Sequence, residues 1–223
     1  MIDKRVTSFE QALAGIEDGS TILASGFGNA GSPIELLEAL VDQGARDLTV
    51  VSNNAGEGEF GLARLMRAGR VRKIICSYPI TSGSVVVDEL HAAGKIELEV
   101  APQGTISERM RAAAAGIGGF YTRTSAGTML GEGKETREFD GRLHVLERPL
   151  KGDVALIRAK TGDRWGNLIY NMTARNFGPT MAMAADLTIA QVDETVDAGE
   201  LDPEAIVTPG IFVDRVLRVP GSR

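Results

Sequence analysis

Short apolar runs alternate with amphipathic segments through the first half of the chain. The runs predict buried strands at residues 21–25, 48–52, 73–77 and 96–100. Between them, apolar residues recur at the spacing of one helix face, which predicts helices at 9–16, 33–43, 60–68, 84–93 and 105–115. A regular alternation of strands and helices predicts an α/β fold with an open, mostly parallel sheet flanked by helices on both faces.

The pattern changes after residue 115. Segment 116–152 is rich in glycine and charge, which predicts a glycine-rich antiparallel insertion of loops and short strands, one of them at 143–147. Strands at 154–159 and 187–192, with a helix at 179–185 before the second, complete the predicted main sheet. No internal repeat or linker composition interrupts the chain, so we expect one domain spanning residues 1–223.

A glycine-rich turn follows the first predicted strand. Gly26, Gly28 and Gly31 can adopt positive φ and allow another backbone or a ligand to approach closely. Backbone N–H groups in such a turn favour an anion or a polarised carbonyl. The same glycines match the G-x-G-x-x-G dinucleotide fingerprint, which also needs an acidic residue where the second strand ends. Asn53 and Asn54 follow that strand instead, so the sequence does not favour NAD binding.

Two capping boxes are predicted at helix starts. Ser32 would cap the second helix with Glu35 three residues on, and Pro33 would take the first helical position. Thr105 and Glu108 would open the helix at 105–115 in the same way.

Polar and glycine residues stand where three of the predicted strands end. They are the Gly26–Phe27–Gly28 turn, the pair Asn53 and Asn54, and Gln103 with Gly104. Ligands of open parallel sheets bind at the carboxyl ends of the strands, so neighbouring strands would bring these turns to one crevice. Amide donors there suit a carboxylate or a thioester carbonyl. The alternatives are that Gln103 caps the helix near Thr105 and that the asparagines serve the turn alone.

Composition excludes several classes of protein. The chain has 24 Lys and Arg against 30 Asp and Glu, a net charge of −6, which argues against a nucleic-acid surface. No apolar run reaches the length of a membrane span, and no secretory signal follows Met1, so we expect a cytoplasmic protein. The one cysteine, Cys76, is predicted to be a small buried hydrophobe, and the few Cys and His residues predict no metal site.

The turn also resembles the first signature of the family I coenzyme A transferases. The signature is an Asp-Gly pair, an apolar triplet, a glycine pair with Phe, and Gly-x-Pro; Asp18–Gly19, residues 22–24, Gly26–Phe27 and Gly31–Pro33 match it, with Ser25 in place of one glycine. Seven further blocks resemble the alpha chain of these enzymes in the right order, at 51–56, 102–109, 131–137, 162–167, 173–177, 199–203 and 208–213.

This resemblance implies a transfer of CoA from a thioester to a free acid through a glutamyl–CoA thioester. In the family the glutamate lies in a Ser-Glu-Asn-Gly motif of the beta chain, and this chain has no such motif. The resemblance therefore implies a beta-chain partner in a heterooligomer, with CoA thioester as substrate and no cofactor. It assigns a carbonyl or carboxylate contact to Gln103 and substrate or CoA binding to Gly26, Phe27, Gly28, Gly31, Asn53, Asn54 and Gly104.

The resemblance also indicates a substrate. Segments 76–90 and 93–100 are most similar to alpha chains that act on 3-oxoadipate with succinyl-CoA as donor, a reaction of aromatic catabolism; acetoacetate is the alternative acceptor. Two departures bear on that choice, at Ser125–Gly127 and at Asn171–Met172. Two other classes stay open: a sugar-phosphate isomerase active by itself, and a non-catalytic module that binds acyl-CoA.

Several charged residues have two interpretations. Glu57 and Glu59 follow the asparagine pair and could be mistaken for the nucleophile, but we interpret them as solvated loop carboxylates. Four cations could bind a substrate carboxylate or a CoA phosphate, or could form structural salt bridges: Arg109, Arg137, Arg175 and Lys134.

Overall fold

The computed structural model describes residues 2–80 and 85–221. Its strands are β1 (Arg5–Val6), β2 (Thr21–Ala24), β3 (Leu48–Val51), β4 (Val71–Cys76), β5 (Glu97–Val100), β6 (Phe120–Thr122), β7 (Thr136–Phe139), β8 (Arg142–Glu147), β9 (Gly152–Asp163), β10 (Leu168–Ile169), β11 (Ala185–Val196) and β12 (Arg215–Arg218). Its α-helices are α1 (Phe9–Leu13), α2 (Ile34–Gln43), α3 (Leu62–Arg67), α4 (Val86–Ala92), α5 (Gln103–Ala114) and α6 (Gly178–Met183). Four 3₁₀ turns cover Met129–Gly131, Met172–Arg175, Pro203–Ala205 and Gly210–Phe212.

The main sheet is parallel along its whole path, which confirms the predicted fold class. Its order is β1-β12-β11-β9-β2-β3-β4-β5, and β10 pairs antiparallel with β9 off this path. The expectation that the strand at 187–192 completes the sheet is wrong, because β12 and β1 extend it beyond β11. Both added strands are short and charged at an end, so they lack the apolar run that predicts a strand.

Alternate residues of the central strands pack on opposite faces of the sheet. Ile22, Val50 and Ile74 face one core, which α1 to α4 cover. Their neighbours face a second core, which α5 and α6 cover; they include Leu23, Val51 and Ile75. Burial on both faces explains why these strands appear as continuous apolar runs in the sequence.

The predicted antiparallel insertion is confirmed. Strands β6, β8 and β7 form a separate three-stranded antiparallel sheet, which we call the antiparallel lobe. Glu147, 3% exposed, is paired there with Lys134 at 2.5 Å. A buried carboxylate needs such a partner because an unpaired charge in an apolar interior is costly.

Helix ends differ from the predictions. Neither capping box forms: Pro33 occupies the cap of α2, its side chain makes no capping bond, and Pro102 does the same for α5. Instead, buried Gln191 from β11 accepts the Leu36 N–H at 3.2 Å, so a tertiary contact takes the place of the predicted cap. Helix α1 ends at Leu13, before the predicted residue 16. The predicted start of the fourth helix, Ser84, lies outside the described residues.

Within the described segments, no helix combines the length and apolar character that crossing a membrane requires. The single-domain assignment of residues 1–223 stays a prediction.

Candidate functional site

A cleft of about 670 Å³ opens at the carboxyl ends of β2, β3, β4 and β5. We call it the amide cleft; it is lined by Phe27, Gly28, Asn29, Asn53, Asn54, Glu57, Ser77, Tyr78 and Gln103. The four strands are adjacent and parallel, so the loops that follow them converge as the sequence predicted.

Asn53 is the centre of the cleft's hydrogen bonds and is only 4% exposed. Its Oδ1 accepts from Gln103 Nε2 and from Ser77 Oγ, each at 2.7 Å. With that oxygen occupied, the Asn53 amide nitrogen has no acceptor among the described residues. Its N–H bonds are thus available to an oxygen of a ligand in the cleft.

Gln103 is the first residue of α5, and its side chain makes no capping bond. The alternative that Gln103 caps a helix near Thr105 is therefore wrong. The helix begins two residues earlier than predicted, directly after Pro102, and the Gln103 amide reaches across the cleft to Asn53.

The turn after β2 is held by its own hydrogen bonds. Phe27 and Ala30 bond each other at 3.0 and 3.3 Å, and the Gly28 N–H donates to Asn54 Oδ1 at 3.0 Å. The Gly26 N–H donates to Asn176 Oδ1 at 3.1 Å. The backbone N–H groups of residues 26–28 therefore do not form the anion site that the sequence suggested, whereas the Asn54 amide nitrogen is left without an acceptor in the described structure.

Three of the predicted glycines do not line the amide cleft. Gly26 is buried against Ser32, and Gly31 is buried against the segment Met172–Arg175, where an added Cβ would lie 2.1 Å from the Ala174 carbonyl oxygen. Gly104 is exposed on α5, and nothing lies within 4 Å of an added Cβ. Gly28, in contrast, faces the Glu57 carboxylate across the turn.

A second cleft of about 1130 Å³ lies beside the first, and Phe27 lines both. We call it the cationic cleft because Lys160 and Arg175 lie along it. Its apolar lining includes Tyr170, whose hydroxyl bonds Thr208 Oγ1 at 2.7 Å and whose pKa burial raises to about 12, so the phenol stays neutral.

Comparison with known proteins places this arrangement in a family. The coenzyme A transferase model matches residues 6–218. The chain belongs to the coenzyme A transferase family. It is 62% identical to the A chain of 3-oxoadipate CoA-transferase from Pseudomonas putida, over 100% of this chain and 96% of the relative. It is 48% identical to the A chain of a probable succinyl-CoA:3-ketoacid coenzyme A transferase from Bacillus subtilis, over 96% of this chain and 89% of the relative.

A solved structure shows the same fold. An acyl-CoA transferase from E. coli O157:H7, solved as a thioester complex with CoA, superposes with a TM-score of 0.84 at 24% identity. The match covers all of this chain and 48% of the solved one, so the chain spans about half the length of that transferase.

The two glutamates after the asparagine pair have different surroundings. Glu57 lines the amide cleft and accepts from Asn29 Nδ2 at 2.8 Å. Glu59 is paired with Arg67 at 2.7 Å on the exposed surface and does not line the cleft. Glu57 thus shapes the turn through Asn29, and the structure gives Glu59 no position from which to react in the cleft.

Three of the four candidate cations have structural partners. Arg109 pairs with Glu99 at 3.0 Å and donates to the Arg148 carbonyl at 3.0 Å. Arg137 stacks over the Tyr121 ring at 5.2 Å, and Lys134 pairs with Glu147. Only Arg175 of the four lies along a described cleft.

Cys76 is a buried hydrophobe, as predicted. It is fully buried at the end of β4, and burial raises the pKa of its thiol to about 12, so no thiolate forms near neutral pH. In the described part of the chain, no group of three or more Cys, His, Asp or Glu side chains is arranged to hold a metal ion.

The two departures from the family pattern lie in different places. Met172 is 86% exposed and lines the cationic cleft. Ser125 lies in the antiparallel lobe, outside both clefts, with a φ of +73°. Only the Asn171–Met172 departure therefore bears on the shape of a cleft.

Two residues that hold the site were missed from the sequence. Ser77 directly follows β4 and bonds both Oδ1 and the backbone oxygen of Asn53, at 2.7 and 3.0 Å. Asn176 bonds Gly26 and the Ala30 carbonyl from more than 140 positions away. Extending the strand-end argument to β4 finds Ser77, but no local pattern reveals Asn176.

Proposed function

We propose that this chain is the alpha chain of a transferase that moves CoA from succinyl-CoA to a 3-oxo acid, with 3-oxoadipate as the preferred acceptor. The arrangement of the amide cleft carries this proposal. The side-chain oxygens of Asn53 and Asn54 are bound by the protein, so both amide groups present donors to the cleft. Neutral donors suit an oxygen that gains charge during acyl transfer.

The reaction proceeds through covalent intermediates on a glutamate of the beta chain. The glutamate attacks the succinyl-CoA carbonyl, CoA leaves as the thiolate, and a mixed anhydride forms. The thiolate then attacks the glutamyl carbonyl, which releases succinate and leaves a glutamyl–CoA thioester. The 3-oxo acid repeats these steps in reverse and leaves as its CoA thioester. Each preorganised donor to the oxyanion lowers such a barrier by about 3 kcal/mol.

The nucleophile is expected on a separate beta chain. Among the described residues, Glu57 is the only carboxylate that lines the amide cleft, and its Oε2 is bonded to Asn29. The relatives are each named as one of two kinds of chain, which implies a partner, and we extend that assembly to this chain as a heterooligomer. In this proposal CoA is a substrate and not a resident cofactor, and the cytoplasmic location stays a prediction.

The acceptor follows from the relatives. The 62% identical relative is named for 3-oxoadipate, and the 48% identical relative for 3-ketoacids. A short 3-oxo acid such as acetoacetate is therefore the second candidate.

A transfer assay tests the function. Succinyl-CoA is offered with 3-oxoadipate or acetoacetate to the chain alone and to the chain co-expressed with its beta chain. We expect turnover only in the complex and a higher kcat/KM for 3-oxoadipate. Turnover by the chain alone would refute the split active site, and no transfer by a well-formed complex would refute the activity.

The amide donors are tested by Gln103→Ala in the assembled enzyme. Removing the Gln103 amide deletes one donor and releases the Asn53 oxygen, so we expect kcat to fall about 100-fold. Gln11→Ala is the control, because Gln11 is a bonded, exposed glutamine on α1. Equal kcat values for the two variants would exclude Gln103 from the reaction.

A further inference from the structure

The amide cleft and the cationic cleft are neighbours separated by one side chain. Phe27, 57% exposed at the tip of the turn after β2, lines both. A short carbon chain crossing the Phe27 ring would join a group in one cleft to a group in the other. Such an apolar surface between two polar sites fits a ligand that is polar at both ends.

The cationic cleft has positive charge that the protein does not neutralise by direct ion pairs. Lys160 at the carboxyl end of β9 and Arg175 at the end of the Met172–Arg175 turn form no ion pair with any described residue. Glu204, the acidic residue of the lining, leaves one net positive charge. Neighbouring Arg158 is paired with Asp193 at 3.3 Å, which shows that other cations of this surface do have partners.

Resting on the proposed function, we infer that the cationic cleft is a subsite for the remote anion of a substrate, while the amide cleft holds its reacting carboxyl group. Lys160 and Arg175 are the residues that bind this anion, and Phe27 packs against the carbon chain between the two ends. The subsite selects dicarboxylic over monocarboxylic acyl groups, because only the former place a carboxylate on the two cations.

Two substrate anions share the required chemistry. One is the terminal carboxylate of the acyl group, and the other is a phosphate of CoA. The shared Phe27 wall favours the carboxylate, since it continues the acyl chain directly from the amide cleft. Binding and kinetic measurements distinguish the two sources.

The binding measurement uses titration calorimetry on the assembled complex of both chains with adipate and hexanoate. These acids have the same number of carbons and differ in the second carboxylate. We expect adipate to bind about tenfold more tightly, which corresponds to about 1.4 kcal/mol. The double variant Lys160→Gln, Arg175→Gln should bind the two acids equally. An adipate preference that the double variant retains would overturn the carboxylate assignment.

The control variant is Lys95→Gln, Arg46→Gln. Both residues are exposed and shortly precede strands, so they lie at the opposite edge of the sheet from the clefts. The control should keep the adipate preference. Because adipate binding needs no turnover, a complex that fails to transfer CoA but shows the expected binding would refute the proposed function and support the subsite.

Kinetics then identify a phosphate source. If Lys160 and Arg175 bind CoA, the double variant raises KM for succinyl-CoA about tenfold and leaves KM for succinyl-pantetheine unchanged, since the pantetheine has no phosphate. If they bind the acid, KM rises for 3-oxoadipate and not for acetoacetate. Unchanged KM values for all four compounds, with unchanged adipate binding, would overturn the subsite altogether.

Discussion

Single residues of the first turn serve different physical purposes, although they share one glycine motif. Gly28 lies in the amide cleft, with its N–H on Asn54. Gly31 is needed for packing, because it combines a φ of +74° with close contact to the Ala174 carbonyl. The motif is thus a packing device as much as a binding loop.

Gly31→Ala should destabilise the protein by about 3 kcal/mol, from positive-φ strain and overpacking together. Gly15→Ala is the matched control, because Gly15 has a φ of +86° and open space around an added Cβ. It should cost about 1 kcal/mol. Urea unfolding measures both free energies. Equal costs would show that the contact with Ala174 gives way without loss.

Ser125 has an unfavourable conformation for a residue with a side chain. Its φ is +73°, and its buried hydroxyl has no hydrogen-bond partner among the described residues. Ser125→Gly should therefore stabilise the protein by about 1 kcal/mol in a thermal or urea unfolding experiment. Ser125→Ala keeps the strain and removes only the hydroxyl, so a larger gain for Ala than for Gly would contradict the strain argument.

At the scale of elements, an ion-pair ladder fastens α5 to the strands beneath it. Lys73 on β4 bonds Glu97 and Glu99 on β5 at 2.8 Å each, and Glu99 bonds Arg109 on α5 at 3.0 Å. Burial opposes ionisation of Glu99, but the bonds from Lys73 and Arg109 outweigh it and lower its pKa. The ladder thus helps fix the helix whose first residue is Gln103.

Stability should reflect this ladder in acid. The contribution of ionised Glu99 is fully present above its ordinary pKa of 4.5 and is lost as the pH falls through the lowered pKa of the folded state. Glu99→Gln should cost about 1 kcal/mol at pH 7, because the site is partly solvated, and almost nothing well below that pKa. Unfolding free energies across this pH range measure the difference.

Glu108→Gln is the control for Glu99, since Glu108 forms an exposed pair with Arg111 within one helix. It should cost less than about 0.5 kcal/mol at either pH. A cost for Glu99→Gln that does not change with pH would argue against the ionised ladder.

At the scale of the whole molecule, apolar side chains are exposed at the rim of the amide cleft. Tyr78 is 60% exposed and Ile80 58%, both in the loop after β4, and Val85 is 55% exposed just before α4. Exposed apolar groups beside an incomplete active site indicate a surface for the proposed beta chain.

Ile80→Glu should therefore weaken association with the beta chain at least about tenfold, since a charge would be desolvated in the interface. Ile2→Glu is the control, because Ile2 is 65% exposed but precedes β1 at the amino edge of the sheet. Analytical ultracentrifugation or biolayer interferometry measures both affinities. Equal weakening by both variants, or by neither, would place the interface elsewhere.

The sequence determined the parts of this protein that depend on local patterns. Apolar runs and helix spacing identified the central strands and their helices, and the strand-end rule brought Asn53, Asn54 and Gln103 to one cleft. These features are readable because burial on both sheet faces demands continuous apolar strands, and parallel strands end at one edge. The family motifs added the partner and the chemistry.

Tertiary structure alone decided the remainder. Gln191 replaces the predicted cap of α2, Asn176 holds the first turn, and β12 with β1 extends the sheet. Lys160 and Arg175 meet in one cleft although neither belongs to a motif that indicates a shared site. Each of these contacts joins residues distant along the chain, so their free energies depend on packing that no local pattern records.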